Sequence, residues 1–250
     1  MYEPKTEHVL PGAVSQSNLS QLDYPLPDRD SFSEAEQAAY DYVLERSKRF
    51  FYSIPANKGK EYHITAYYRL LLQSPLAAEM WARGSDLFQT AASRGSFPDR
   101  ARDLVQVAMV PVLKEQLAKA PPNPMIPIAY AIESGIAAKD IKAIWDGRLD
   151  EISSGDRVLV DYVQATTRGN LKRSQFEDLV AQMGIKAAID YTAFITYKIG
   201  SFRNIQAMHA IEGLDSFDDG VAEEFVQAHI DGQVAPSDYG GGASWVSKKS

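Results

Sequence analysis

The 250-residue sequence contains no cysteine, and this absence excludes two kinds of chemistry. No disulfide framework can form, and thiol exchange is ruled out because it requires a thiolate as the nucleophile. The chain is therefore not a thiol peroxidase. The lack of cysteine leaves the redox compartment open, and nothing in the composition points to secretion.

Basic clusters and uninterrupted apolar runs are also lacking. The 33 acidic and 26 basic residues give a net charge of −7, and no cluster of Lys and Arg typical of a nucleic-acid-binding surface occurs. The longest apolar helix pattern, 185–211, is interrupted by charges too often for a membrane span. The first residues lack the basic and then apolar build of a signal peptide. We therefore expect a cytoplasmic protein with neither nucleic acid nor membrane as a partner.

Histidines are few and scattered. They stand at positions 8, 63, 209 and 229, without the close spacing of a metal-binding pair. A metal site would require distant residues to converge in space. We predict no metal and no cofactor.

The remaining pattern is almost entirely helical, and strand signals are nearly absent. With 45% hydrophobic residues, the chain can bury a substantial core. We predict an all-α domain over 33–213. An irregular, proline-containing arm (1–32) precedes it, and an acidic segment with one short helix and a flexible tail (214–250) follows.

Local signals divide this domain into helices. Ser33 followed by Glu36 predicts a capping box at the start of a helix that ends near Phe51. Tyr62–Gln73 is the next predicted helix, and Pro75 begins another that ends near Ser93. In that helix, four large apolar residues are predicted to face the core: Leu76, Met80, Leu87 and Phe88.

The central stretch is the most apolar part of the chain. Leu104–Leu113 carries almost no polar face, which is typical of a helix buried on all sides. Pro111 within it frees the carbonyl of Val107 from helical hydrogen bonding. Gly135 then ends one helix and Ala138–Trp145 forms the next, which predicts a helical hairpin. Further along, Gly184 separates a short helix from a long one.

This order of helices resembles the carboxymuconolactone decarboxylase family, whose fold is that of alkylhydroperoxidase D. The resemblance covers roughly Tyr62–His209. It implies an alkylhydroperoxidase D-like helical bundle that forms a homo-oligomer. It also implies a cofactor-independent lyase or isomerase that acts by acid/base chemistry on a small carboxylic acid or lactone, of aromatic or polyketide-like type. The matching segments are Tyr68–Ala77 (YRLLLQSPLA), Arg100–Ala108 (RARDLVQVA), Ile128–Gly135 (IAYAIESG) and Lys139–Ile144 (KDIKAI).

The chain departs from the family at the positions that carry the chemistry. Family members have a Glu and a His, or a Cys-x-x-Cys pair and a later His, in the helix before the glycine. Here Asn123 and Pro127 occupy the Glu and His positions, and the Glu of the arginine-led helix is Asp103. The usual acid/base pair is absent.

Other residues are therefore candidates for the site. The candidate catalytic residues are His63, Tyr130 and His209, and the candidate substrate-binding residues are Tyr67, Lys114, Asn123 and Lys198. His63 and Tyr67 are four residues apart on one predicted helix face, and Lys198 shares a mostly apolar stripe with His209. In the alternative interpretation, the tyrosines pack in the core, Lys198 extends its ammonium to solvent and Lys114 belongs to a solvated helix end.

Two functions are compatible with this pattern. The first is the acid/base enzyme that the resemblance implies, with its lost pair replaced by the candidates above. The second is a non-catalytic member of the same fold that binds a ligand or serves as an assembly subunit. The loss of the usual catalytic residues favours the second, whereas the proline-rich remodelling at the site's usual position favours the first.

Overall fold

The computed structural model describes residues 25–53, 61–62, 64, 66–89, 98–116, 125–212 and 219–233. All regular structure within these ranges is helical, which confirms the predicted all-α class. Most of the predicted N-terminal arm and the tail after residue 233 lie outside the described residues.

The helices follow one another along the chain with short connections. They are α1 Glu34–Ser53, α2 Ala66–Leu71, α3 Pro75–Gln89, α4 Asp99–Gln116, α5 Met125–Glu133, α6 Ala138–Trp145, α7 Ser154–Arg168, α8 Arg173–Glu212 and α9 Asp219–Ile230. The prediction for α6 is confirmed at both ends. The prediction for α2 is wrong at its start, because Tyr62 and Ile64 are not helical.

The first turn of α1 shows how Ser33 and Glu36 begin a helix. The carboxylate of Glu36 accepts hydrogen bonds from the Ser33 backbone N–H at 3.0 Å and from the Ser33 hydroxyl at 2.6 Å. The predicted capping box is thus confirmed for Glu36. The Ser33 hydroxyl, however, donates to that carboxylate instead of accepting from a backbone amide.

The central helix α4 is buried on nearly all sides, as predicted. It continues through Pro111, which removes the backbone donor that would otherwise bond to the carbonyl of Val107. The indole Nε1 of Trp145 donates a hydrogen bond to that carbonyl at 3.4 Å. A side chain from α6 therefore occupies the acceptor that the proline leaves free.

Two groups of buried apolar side chains hold the helices together. The main core is formed by α4 to α9 and includes Val107, Met109, Leu113, Ile128, Ile141, Val163, Ile195 and Phe225. The N-terminal cluster is formed by α1 to α3 and consists of Tyr40, Val43, Leu71, Leu72, Ala78 and Ala82.

The face that α3 buries differs from the predicted one. Leu76, Met80 and Leu87 are 53–64% exposed, and of the four predicted core residues only Phe88 packs against the main core. The buried face instead carries Ala78 and Ala82. Small side chains allow α1 and α3 to approach each other closely. The face of α3 with the smaller side chains is therefore the one that packs against α1.

Helix α8 connects the two groups. Gly184 has φ 82° and ψ 157°, which is not helical and which an L-residue with a side chain rarely adopts, so the predicted break is confirmed. Beyond it, Phe194 and Ile195 pack into the main core, while Met208 packs against the N-terminal cluster. Across the described residues, no helix combines the length and the apolar content needed to cross a membrane.

Candidate functional site

The structure describes only part of the predicted site. His63 and Asn123 lie outside the described residues, and His209 is on α8 with a side chain that is likewise outside the described part. Tyr67, Lys114, Tyr130 and Lys198 can be placed, and they fall in different regions.

Lys114 and Tyr130 lie in the α4 to α9 part of the molecule. Lys114 is near the end of α4, where its side chain is 43% exposed and its Nζ lies 3.4 Å from a carboxylate oxygen of Glu223 on α9. This agrees with the interpretation of Lys114 as part of a solvated helix end. Tyr130 is partly buried on α5, one turn after the buried Pro127.

Tyr67 and Lys198 belong to a different region, where charged and hydroxyl-bearing side chains meet between the main core and the N-terminal cluster. We call this region the polar seam. Its members come from α1, α2, α3, α4 and α8, and they are Arg46, Tyr67, Tyr68, Asp86, Arg102, Asp103, Tyr197, Lys198 and Asn204.

On one side of the seam, Arg46 is a buried cation with several partners. Only 8% of this residue is exposed. Its Nε donates to Oδ1 of Asp86 at 2.9 Å, and its Nη1 donates to the hydroxyl oxygen of Tyr68 at 2.6 Å. The Tyr42 hydroxyl donates to the other oxygen of Asp86 at 2.6 Å. The charge of Arg46 is therefore neutralised within the fold, as a buried charge requires.

Two tyrosines join α8 to the N-terminal helices. Nδ2 of Asn204 donates to the Tyr67 hydroxyl at 3.3 Å, and the Tyr197 hydroxyl donates to the backbone carbonyl of Trp81 at 2.8 Å. Burial raises the pKa of Tyr67, so this residue remains a neutral phenol at physiological pH. A neutral phenol can still donate a hydrogen bond to a bound molecule.

Asp103 is the more deeply buried of the two acids in the seam. Its side chain is 3% exposed, and its Oδ1 accepts from Nε of Arg102 and from Nε2 of Gln106, each at 3.3 Å. Burial raises the pKa of Asp103, and the neighbouring Arg102 guanidinium opposes part of this shift. A carboxyl group with a raised pKa keeps its proton more readily than an exposed aspartate does.

Lys198 lies on α8 between the α1 and α4 sides of the seam. Burial lowers the pKa of its ammonium to about 8; the positive charges of Arg102 and Arg46 act in the same direction, and the Asp103 carboxylate opposes them. The Nζ atom is 5.4 Å from the centre of the Phe202 ring. The residue as a whole is partly buried.

Asp103 and Lys198 together provide the elements of acid/base chemistry. The carboxyl of Asp103 has a raised pKa and the amine of Lys198 has a lowered one, so both move toward neutral pH, where proton transfer is most effective. The positive charge of Lys198 favours an anionic ligand, and the tyrosines and Phe202 provide aromatic surface. This arrangement suits a small carboxylic acid.

Sequence reasoning identified Lys198 and Tyr67 but missed the charged residues beside them. Arg46 and Arg102 were not among the candidates, and Asp103 was noted only as the residue at the family's Glu position. One signal was available for Asp103, because a carboxylate that directly precedes a mostly apolar helical run lies in a helix that is expected to be buried. Arg46 carried a weaker signal, since it stands three residues after the buried Val43 on α1.

Among the described residues, no group of three His, Asp or Glu side chains forms a candidate metal site. Compared with family models, curated proteins and solved structures, the chain matches none of them.

Proposed function

We propose that the chain is a cofactor-independent enzyme of the carboxymuconolactone decarboxylase type, acting on a small carboxylic acid or lactone by acid/base chemistry. The observation that carries this proposal is that the buried carboxyl of Asp103 acts electrostatically on the partly buried amine of Lys198, in a seam that also contains arginines and tyrosines. Asp103 also stands where the family usually has a Glu in its arginine-led helix. The proposal replaces the family's acid/base pair with these two residues.

The roles follow from charge and position. Lys198 attracts the carboxylate of the substrate, and Tyr67 supplies a hydrogen-bond donor. Asp103 delivers or accepts the proton, because its raised pKa keeps a protonated fraction available closer to neutral pH than in an ordinary aspartate.

Binding of benzoate and turnover of muconolactone test this function. We expect benzoate to raise the melting temperature of the wild type, and Lys198→Met to weaken benzoate binding at least about tenfold. Asp103→Asn should keep benzoate binding and lose turnover of the lactone. The matched control is Lys186→Met on the same helix, because Lys186 is an exposed residue paired with Asp190 at 2.7 Å. Unchanged benzoate binding in Lys198→Met would contradict the proposal.

A second candidate function, an assembly subunit, is favoured by exposed apolar side chains. Ile185 and Ile189 are 55% and 56% exposed at adjacent turns of α8, and Leu76 and Met80 are similarly exposed on α3. Pairs spaced four residues apart form short apolar stripes on a helix, of the kind that subunit contacts bury. The homo-oligomer implied by the family resemblance would use these stripes.

Sedimentation velocity of the full chain tests the assembly. Ile185→Asp combined with Ile189→Asp should reduce the molar mass if α8 forms the contact. Thr196→Asp, an exposed position further along α8, is the control and should leave the mass unchanged. A monomeric wild type, or a double variant with the wild-type mass, would contradict a contact through α8.

A further inference from the structure

The face of α3 that points away from α1 carries three large apolar side chains. Leu76, Met80 and Leu87 are 53%, 60% and 64% exposed. Because successive residues advance by about 100° around a helix, the three lie within a sector of about 40° and extend over about 17 Å of the helix. We call this surface the α3 stripe. Large apolar side chains that line up on a surface are typical of a contact site.

The charged residue on the same side of α3 is turned away from the stripe. Arg83 stands between Met80 and Leu87 in the sequence, and its guanidinium carbon lies 4.2 Å from the centre of the Tyr42 ring on α1. Its Nη2 is also 2.7 Å from a carboxylate oxygen of Glu79. The positive charge of Arg83 is therefore held beside the stripe, and the stripe itself suits an uncharged, apolar partner.

The N-terminal part of the chain is attached next to this stripe. Residues 1–24 lie outside the described residues, and they join the described part at Pro25. The carbonyl oxygen of Pro25 accepts a hydrogen bond from Nε2 of Gln73 at 3.0 Å, just before the start of α3. A little further along, Nε and Nη2 of Arg29 donate to the carboxylate of Asp41 on α1 at 2.7 and 2.6 Å. The attachment point is thus fixed at the end of α3 where the stripe begins.

The sequence that precedes Pro25 has the composition that the stripe requires. Residues 9–22 contain no Asp, Glu, Lys, Arg or His. They include five aliphatic side chains, which are Val9, Leu10, Val14, Leu19 and Leu22. At about 3.6 Å per residue, Leu19 and Leu22 lie within about 20 Å of Pro25 and Val14 within about 40 Å, so the segment is long enough to cover the stripe. A short connection also gives the segment a high effective concentration at a neighbouring surface.

We propose that residues 9–22 dock on the α3 stripe of the same chain and cover Leu76, Met80 and Leu87. The inference concerns a contact within the chain, and it does not depend on the proposed enzyme. It gives the α3 stripe a different occupant from the second copy considered for the assembly, and it leaves the exposed isoleucines of α8 to that subunit contact.

Thiol labelling tests the docking, because the natural chain has no cysteine that would react. Met80→Cys is introduced into the full chain, and its reaction with DTNB is followed under native conditions. Leu19→Asp combined with Leu22→Asp places two charges in the docking segment, and we expect this pair to raise the labelling rate at least about tenfold.

Two matched controls accompany this experiment. Gln16→Asp combined with Gln21→Asp adds the same charge at polar positions of the same segment and should leave the labelling rate of Met80→Cys unchanged. Thr196→Cys, at an exposed position on α8, should react equally fast with either arm. Circular dichroism verifies that each variant is folded.

Three outcomes would overturn the docking. The first is that Met80→Cys reacts equally fast with the natural segment and with the Leu19 and Leu22 changes. The second is that the Gln16 and Gln21 changes raise the rate as much, which would mean that the apolar side chains do not hold the segment. The third is protection that persists when Leu19 and Leu22 are changed but is lost on dilution, which would identify a second copy as the occupant.

Discussion

The main core and the N-terminal cluster are stabilised in different ways. The main core buries a large and continuous set of side chains from six helices, almost all of them without polar atoms. The N-terminal cluster buries six apolar residues from α1 to α3, and beside them lies the partly buried ion pair of Arg46 and Asp86 with its tyrosine partners. A small apolar cluster supplies little stabilisation by itself, so the hydrogen-bonded network fixes how α1, α2 and α3 are arranged.

This difference indicates which part of the molecule can contain a ligand-binding site. A continuous aliphatic core offers no polar group to a ligand, whereas the boundary between the two regions holds charges that need partners. The polar seam lies at that boundary, and α8 crosses it. Four substitution experiments test this difference between the two regions, and they follow in order of decreasing expected effect on stability.

The same substitution can be made at a fully buried leucine in each region. Leu113 in α4 and Leu72 after α2 are both 0% exposed. Replacing either with alanine should reduce the free energy of unfolding by about 2–5 kcal/mol, with Leu113 near the upper end, because the main core is less able to close around the cavity. Urea denaturation measures both values. Hydrogen exchange should show that Leu72→Ala loosens α1 to α3 alone, and equal loosening of both regions would remove the distinction.

The partly buried ion pair of Arg46 and Asp86 is the next largest contribution. Arg46→Met should lower the free energy of unfolding by about 2–4 kcal/mol, because Asp86 is left with reduced compensation for its charge. Adding Asp86→Asn to that variant should recover part of the loss. Arg49 lies 3.5 Å from the same carboxylate and is 60% exposed, so Arg49→Met is the matched control and should change the value little. Comparable losses in the two single variants would mean that burial of Arg46 is not what matters.

The contact between α3 and α8 depends on the absence of a side chain at Gly84. A Cβ atom there would overlap with Cε2 of Tyr197, whose hydroxyl is held by the Trp81 carbonyl. Gly84→Ala should therefore cost about 1–3 kcal/mol of stability. Gly155→Ala provides the control, because its nearest atom would be Nε2 of Gln182 at 3.5 Å, an ordinary contact. Thermal melting compares the two, and an undisturbed Gly84→Ala variant would show that Tyr197 moves freely.

A surface ion pair at the edge of the main core has the smallest expected effect. The two terminal nitrogens of Arg100, Nη1 and Nη2, donate hydrogen bonds to the two carboxylate oxygens of Asp156 at 2.6 and 2.7 Å. This interaction lowers the pKa of Asp156. The pKa of Asp156 is lower in the folded protein than in the unfolded chain. The ion pair therefore stabilises the fold at pH values above the ordinary aspartate pKa. This stabilisation is lost as the pH falls through the pKa that Asp156 has in the folded protein. Asp156→Asn should cost about 1 kcal/mol at neutral pH, because Arg100 is partly exposed. The difference from the wild type should vanish in acid, and a constant difference at all pH values would contradict this assignment.

Parts of the fold were predictable because their signals are local. The apolar run of α4 predicted its burial, and Gly135 and Gly184 marked a helix end and a break from single residues. The buried face of α3 was predicted wrongly, because the larger apolar residues suggested one face while close packing against α1 selected the alanines. The choice of face depends on the neighbouring helix, which a single sequence does not contain.

The residues of the candidate site were likewise predictable only in part. Lys198 and Tyr67 were predicted from helix spacing and residue type, and the structure places both in the polar seam. The charged residues that act on Lys198 were not predicted, because Arg46, Arg102 and Asp103 are about a hundred or more residues away in the chain. His63 and Asn123 lie outside the described residues, and their predicted roles stay predictions.

The sequence alone is enough to predict the helical class and the burial of α4 and to exclude thiol chemistry. Each of these follows from the composition or from the order of neighbouring residues. Which charged side chains lie close together depends on the tertiary structure. Burial in the fold raises the pKa of Asp103 and lowers that of Lys198, and the packing of α1, α4 and α8 brings Arg46 and Arg102 close enough to lower the pKa of Lys198 further. Burial and distance between remote residues are properties of the fold, and the chemistry of the seam depends on both.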